Sequence, residues 1–193
     1  LRYVLLLVGG LIMAVPFWWM LVTSLKAPGA VLTMPPELFP SQPTLESYAR
    51  VFAAVPIGGM FLNSLIVTVL GVTGQLVTSA MTAYAFARMH WRGRDLVFLL
   101  YVGTLMVPFQ VTITPLFILM QRLGWVDTYQ GLIAPSLISA FGAFLLRQAM
   151  LGVPREYEEA ALIDGYTRFQ AFYKVVLPQA ATGIAATAIF CLI

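Results

Sequence analysis

The chain has 193 residues, of which 60% are hydrophobic and 10% charged, with a formal net charge of +3 and a mean hydropathy of +0.88. Soluble globular domains carry about 25% charged residues, so this composition excludes an ordinary soluble domain. The single cysteine, Cys191, excludes a disulfide framework and a multi-cysteine metal site, and we expect neither a metal nor a nucleic acid to bind.

Long runs without charged residues predict membrane-spanning helices. A spanning helix needs about 20 apolar residues, so each such run can hold one span. We therefore predict an all-α, polytopic membrane helix bundle with about five spans. The chain begins without Met and ends inside an apolar run, so we expect a fragment whose last span is truncated. The charge-free runs are residues 3–25, 51–87, 96–121, 128–146 and 175–193.

The first predicted span covers residues 3–25, and Trp18 and Trp19 lie towards its end, as expected for aromatic side chains at the headgroup level. Residues 26–50 contain five prolines, which exclude a long helix there. We accordingly divide the chain into an N-terminal span with an external Pro-rich segment and a core transmembrane domain. The boundary between these two parts lies between residues 55 and 56.

The core domain is predicted to contain the remaining spans. The second span lies within residues 60–88, because Pro56 and two glycines interrupt the apolar run before it. The third span contains Pro108 and Pro115, which spans tolerate where neighbouring groups satisfy the freed carbonyls; a break at Pro108 is one expectation. The last three spans cover residues 96–120 and 131–150, and a stretch that starts near Pro178.

The positions of the basic residues predict the orientation. Eight of the eleven Lys and Arg residues lie at the start of the chain, in the second loop or in the fourth loop, and three lie on the opposite side. Loops rich in Lys and Arg face the cytoplasm. The N-terminus and residues 152–174 are therefore predicted to be cytoplasmic, and the Pro-rich segment external.

The polar fourth loop carries signals for two short helices. Pro154 suits a first helical turn, and three glutamates follow where carboxylates favour the helix dipole. Gly165 is a helix stop, and Thr167 with Gln170 fits a capping box. Acidic side chains cost about 2.5–3.5 kcal/mol each at mid-membrane, so this loop lies outside the bilayer. From these residues alone, an amphipathic helix on the membrane surface and a helix that docks another protein remain equally open.

The spacing Glu159-Ala160-Ala161, then Gly165, Val175 and Leu177-Pro178 resembles the signature loop of ABC importer permeases. The resemblance implies the binding-protein-dependent ABC importer permease fold, with cytoplasmic coupling helices at about residues 153–175. These helices would dock in a cleft of an ATP-binding subunit. The contact positions implied in this way are Glu159, Ala160, Ala161, Asp164 and Gly165.

Other segments resemble carbohydrate-uptake permeases, in particular the second permease of maltose and glycerol-3-phosphate importers. The resemblance implies a sugar or sugar derivative as solute, and a prokaryotic plasma membrane location. It also implies ATP-binding cassette subunits, a second permease subunit, a solute-binding protein and membrane lipid as partners. The segments concerned are residues 107–112, 123–129, 131–135 and 144–148.

The sequence contains no Gly-x4-Gly-Lys-Ser/Thr phosphate loop. We therefore expect no catalytic residues and no cofactor in this chain, with ATP used by the partner subunit. Polar side chains in or near spans often line a solute path, although hydrogen bonds between helices are the more common reason for them. The candidates for the path are Asn63, Ser64, Gln110 and Thr112.

Three alternatives remain open at this point. The first is an ABC permease for a solute that is not a sugar. The second is a secondary transporter driven by an ion gradient, which should carry an acid or an ion pair inside a span; none occurs in the predicted spans. The third is a membrane scaffold in which residues 159–165 form only a surface helix.

Overall fold

The computed structural model describes residues 2–31 and 37–192, and within these ranges the chain is helical and forms no β-strand. The all-α fold class is therefore confirmed. The chain divides into two compact units, Leu1–Leu62 and Asn63–Ile193. Part of the predicted Pro-rich segment, residues 32–36, lies outside the described residues.

The first unit contains helices α1 (Arg2–Ser24) and α2 (Glu46–Ala54). After α1, the buried ammonium group of Lys26 donates a hydrogen bond to the carbonyl of Glu37 at 2.9 Å. The same ammonium lies 4.8 Å from the centre of the Trp19 ring, a cation–π distance. The buried charge of Lys26 thus has both a carbonyl and an aromatic partner.

Helix α3 (Ile57–Arg88) begins in the first unit and provides the longest element of the second. Three short non-α stretches interrupt the chain after it, at Thr104–Met106, Ala134–Leu137 and Phe172–Val176. The remaining helices are α4 (Arg94–Gly103), α5 (Phe109–Leu123), α6 (Tyr129–Ile133), α7 (Ala140–Leu151), α8 (Arg155–Ile163), α9 (Arg168–Ala171), α10 (Leu177–Gln179) and α11 (Ala181–Leu192).

Two of these helices, α1 and α3, are each long and apolar enough to cross a membrane. Three further candidates consist of helix pairs that bend by 94° between Met106 and Phe109, 43° between Leu137 and Ala140, and 80° at Ala180. The described residues therefore hold two to five spans. The predicted five correspond to the count in which every bent pair is one span.

The first of these bends lies at Pro108, as expected from the sequence. Val107 has extended backbone angles (φ −82°, ψ 113°), which the residue before a proline favours. The sequence predicted an unbroken fourth span, but Ser139 is also extended, and its hydroxyl accepts a hydrogen bond from the Gly142 amide at 3.0 Å. The bend into the last span lies at Ala180 rather than at Pro178, since proline is accommodated in the first turn of α10.

The core of the second unit forms where α3, α7 and the stretch from Phe172 to Ala180 meet. Small side chains allow the close approach of these helices, as in other membrane bundles. A Cβ atom added at Gly142 would lie 2.7 Å from Ser79 Oγ, and one added at Gly183 would overlap Ala149. This packing places the polar fourth loop directly against the ends of α3 and α7.

Candidate functional site

The coupling segment, residues 153–175, folds as its local signals predict. Pro154 precedes α8 in an extended conformation (φ −56°, ψ 138°). The helix ends at Ile163, two residues before Gly165, whose φ of +87° is left-handed and favours glycine. The amide of Gln170 donates to Thr167 Oγ1 at 3.3 Å, and the amide of Thr167 donates to Gln170 Oε1 at 2.8 Å. The predicted capping box and the helix–turn–helix arrangement are therefore confirmed.

The five predicted contact residues divide into two groups. Ala161 is only 6% exposed and packs inwards, so it brings α8 close to the core. The other four are exposed and lie on the surface of the segment: Glu159, Ala160, Asp164 and Gly165.

Apolar residues extend this exposed surface, and sequence reasoning did not select them. Ile163 is 85% exposed and Phe169 is 64% exposed, although neither lies in a predicted span. Their signal in the sequence was present, since both are large apolar residues in a loop that cannot enter the bilayer. Exposed apolar groups of this kind mark interaction surfaces.

A small cavity opens beside α8. It has a volume of about 190 Å³. Arg155 Nη1 lies 3.3 Å from His90 Nε2 at its rim, so this arginine is held against the loop that follows α3. The cavity is lined by Arg88, His90, Arg155, Glu158, Glu159, Leu162 and Arg168.

A buried polar cluster fixes α8 to α3. The hydroxyl of Tyr84 donates a hydrogen bond of 2.5 Å to Glu158 Oε1 and also reaches the carbonyl of Arg168 at 3.3 Å. Arg88 donates hydrogen bonds of 2.6 Å to the carbonyls of Met150 and Val153. We call Tyr84, Arg88 and Glu158 the anchor cluster.

Sequence reasoning missed the anchor cluster. It used Arg88 only to assign the orientation, and it treated Glu158 as one of three equivalent acids at a helix start. The available signal was the spacing of Tyr84 and Arg88, four residues apart and therefore on one face of α3. That spacing could not identify the partner, which is 74 residues away from Tyr84 along the chain.

A second, larger cavity of about 730 Å³ lies beside the part of α3 near Asn63. The hydroxyl of Tyr129 donates a 2.6 Å hydrogen bond to Asn63 Oδ1. Asp127 adopts a left-handed conformation (φ 58°), which aspartate tolerates better than most residues. The lining residues are Asn63, Ser64, Val67, Thr68, Asp127, Thr128, Tyr129, Gln130 and Leu132.

The structure therefore brings together two of the four residues predicted for the solute path. Asn63 and Ser64 line the cavity, whereas Gln110 and Thr112 are not among its lining residues. The Thr112 hydroxyl donates to the carbonyl of Phe109 within its own helix at 2.8 Å. Sequence reasoning did not select Asp127, because it assigned this residue to a connecting loop. In the described part of the chain, no three His, Cys, Asp or Glu side chains are grouped as metal ligands would be.

Comparison with known proteins identifies one family and several relatives. Residues 75–193 match the model of a family described as "Binding-protein-dependent transport system inner membrane component". The diacetylchitobiose uptake system permease protein NgcG of Streptomyces coelicolor is 37% identical over 192 residues, which cover 98% of this chain and 63% of that protein. The trehalose/maltose transport system permease protein MalG of Thermococcus litoralis is 31% identical over 201 residues, covering 100% of this chain and 72% of that protein.

A solved structure is also similar. It is the crystal structure of a bacterial ABC transporter involved in the import of the acidic polysaccharide alginate, with a TM-score of 0.89 and 26% identity. The match covers 99% of this chain and 68% of the chain in that structure. The sequence thus spans roughly two thirds of the length of its relatives, and 63% of NgcG.

Proposed function

Because this chain belongs to the family of binding-protein-dependent transport system inner membrane components, we propose that it is part of a permease subunit of an ATP-driven importer for a sugar or sugar derivative. The observation that carries this proposal is the coupling segment. Glu159, Ala160, Asp164 and Gly165 are exposed on its surface, while Glu158 and Phe172 fix its other face to α3 and α7. A segment held in this way can transmit a movement of a docked subunit to the helices behind it.

The proposed mechanism is alternating access, driven from the coupling segment. ATP binding closes two ATP-binding cassette subunits, and the docked segment moves with them. The spans then switch between two packed arrangements, as rigid bodies do in other transporters. The energy enters as differential binding of ATP to the two arrangements, so this chain needs no ATPase site of its own. A second permease subunit completes the path, and a solute-binding protein delivers the solute.

The orientation follows from the distribution of basic residues. The N-terminus and the coupling segment lie in the cytoplasm, where ATP is available, and the Pro-rich segment lies outside. This assignment puts Asn63 and the cavity beside it on the outer side, because Asn63 lies near the start of α3 and the coupling segment packs at its end. The membrane is the inner membrane of a prokaryote.

The proposed solute is an oligosaccharide or a related polyol. Several relatives have names that refer to the transport of such compounds, including diacetylchitobiose and arabinooligosaccharides. The cavity near Asn63 presents amide, hydroxyl and carboxylate groups, which can donate to and accept from sugar hydroxyls. We assign Asn63, Ser64 and Asp127 to the solute path there. Gln110 and Thr112 do not line this cavity and remain predictions.

The test of this function is assembly and transport by the full-length protein. It is co-expressed with candidate ATP-binding subunits, the second permease subunit and the binding protein, then reconstituted in liposomes. We expect the subunits to co-purify, and we expect radiolabelled diacetylchitobiose or maltose to be taken up only when ATP is enclosed inside the liposomes, on the side of the coupling segment. Uptake that follows an ion gradient without ATP would instead support a secondary transporter, and the absence of both assembly and uptake would support a scaffold.

Replacing Asp127 with Asn is expected to raise KM for sugar uptake roughly tenfold, because one hydrogen bond to a charged group is worth about 1.5–3 kcal/mol. Asparagine also tolerates the left-handed backbone at this position, so the loop should keep its shape. The measurement is the initial uptake rate as a function of sugar concentration. An unchanged KM contradicts the assignment of Asp127, and an unchanged KM in Gln110→Leu would remove Gln110 from the path.

A further inference from the structure

The anchor cluster buries two opposite charges at the junction of three helices. The side chain of Arg88, the last residue of α3, is 3% exposed, and that of Glu158 on α8 is 14% exposed. Arg88 also donates hydrogen bonds to the carbonyl of Met150, in the last turn of α7, and to that of Val153, which follows α7. Charges that are removed from water in this way need partners, and the partners here join α3 to α7 and to the coupling segment.

The cluster concentrates the polar contacts between the coupling segment and the long helices. Tyr84 reaches one carboxylate oxygen of Glu158 and the carbonyl of Arg168 at the start of α9. Arg88 faces the other carboxylate oxygen. Both short helices of the coupling segment are therefore bound to the same turn of α3. The rings of Tyr84 and Phe172, whose centres are 4.9 Å apart, add an apolar contact at this place.

One contact in the cluster is incomplete. Arg88 Nε has no hydrogen-bond acceptor among the described residues, and Glu158 Oε2 lies 3.6 Å from it, too far for a hydrogen bond. A small shift of α8 towards α3 would close this gap and give the buried N–H an acceptor. The contact therefore has room to tighten, and a switching element would need a second arrangement of this kind.

We propose that Glu158 and Arg88 form the contact through which displacement of the coupling segment is transmitted to α3 and α7. This inference rests on the proposed function and assigns the transmission to a pair distinct from the docking surface. Glu159, the neighbouring residue, is exposed on the surface proposed to dock the partner subunit, whereas Glu158 contacts Tyr84 and Arg88 of α3. Glu158 and Arg88 are positioning residues, and neither contacts the solute.

The first measurement needs only this protein. Spin labels are attached to the exposed positions Met81 on α3 and Ile163 on α8, after Met81→Cys and Ile163→Cys replacement. The background is the full-length protein without Cys191 and without any other native cysteine, and it is placed in lipid nanodiscs. We expect a single narrow distance distribution without further change. Glu158→Gln removes the charge but keeps an oxygen for Tyr84, and we expect it to broaden the distribution or add a second population.

The second measurement uses the reconstituted importer and counts ATP molecules hydrolysed per sugar taken up. We expect Glu158→Gln to retain the ATP-binding subunits and to raise this ratio about fivefold or more, since coupling between sites typically corresponds to factors of about 5–150. Tyr84→Phe keeps the ring packing and should raise the ratio to a smaller extent. The matched control is Glu156→Gln, on the same helix and exposed, which should behave as wild type.

An unchanged distance distribution in Glu158→Gln overturns the proposal, and so does a ratio within about twofold of wild type, below the usual range of coupling factors. If Glu158→Gln fails to assemble, a wild-type ratio in Tyr84→Phe also overturns it, because the cluster then has only a structural role. A wild-type protein that binds no ATP-binding subunit and takes up no sugar contradicts the proposed function. In that event the distance distribution alone decides whether the contact joins α8 to α3.

Discussion

Replacing Glu159 with Lys is expected to remove the ATP-binding subunit from the purified complex and to abolish ATP-driven sugar uptake. Glu159 is an exposed acid on α8 and one of the positions proposed to contact the ATP-binding subunit. It lies beside the cavity that is also lined by Arg155 and Arg168, so Lys at this position would leave the surface strongly basic. Placing like charges opposite each other in an interface costs several kcal/mol, which corresponds to a loss of binding of about a hundredfold or more.

The measurement is the amount of ATP-binding subunit that co-purifies with the permease, together with uptake into liposomes. The control is Glu156→Lys, which makes the same change of charge near the start of the same helix but lies outside the cavity. Glu156 lies in the first turn of α8 and Glu159 does not, so only the control also loses a favourable carboxylate–dipole interaction, worth about 0.3–1 kcal/mol. A loss of assembly caused by lower stability should therefore be larger in Glu156→Lys. Wild-type assembly and uptake by Glu159→Lys, or an equal loss in Glu156→Lys, would contradict a specific contact at Glu159.

Local sequence signals predicted the coupling segment correctly because they act over a few residues. The proline before α8, the glycine at φ +87° and the Thr167–Gln170 capping box each depend on backbone groups within one turn. The spans were predicted from long apolar runs for a similar reason, since bilayer thickness sets their length. These features need no knowledge of which helix packs against which.

The resemblance selects Glu159 as a contact position, but the sequence does not show that its neighbour Glu158 faces inwards. Both are acids in one short helix, and the sequence favours neither for the core. The structure separates them, because Glu158 meets Tyr84 and Arg88 from a helix more than 60 residues earlier. The same limit applies to Asp127, which belongs to a loop in the sequence and joins the cavity of Asn63 only through the tertiary arrangement. Contacts of this kind depend on helix pairing, which periodicity does not determine.

The strongest effect on stability is expected from Arg88→Ala. This change leaves the carboxylate of Glu158 with the hydroxyl of Tyr84 alone, and it deprives the carbonyls of Met150 and Val153 of their donor. Removing one partner from a buried ion pair costs about 3–5 kcal/mol. For a protein of this size, that loss corresponds to a fall in Tm of roughly 10 °C, measured by thermal unfolding of the full-length protein in detergent.

Arg92→Ala provides the control, because Arg92 is exposed in the loop after α3 and surface changes usually stay within about 0.5 kcal/mol. A fall in Tm for Arg88→Ala no larger than for Arg92→Ala would contradict a buried, paired charge. The double variant Arg88→Met with Glu158→Met separates charge from packing. Replacing both members of a buried pair by apolar residues is often close to neutral, so this variant should recover part of the lost Tm. Recovery of Tm without recovery of coupled uptake would mean that the ion pair serves transmission more than stability.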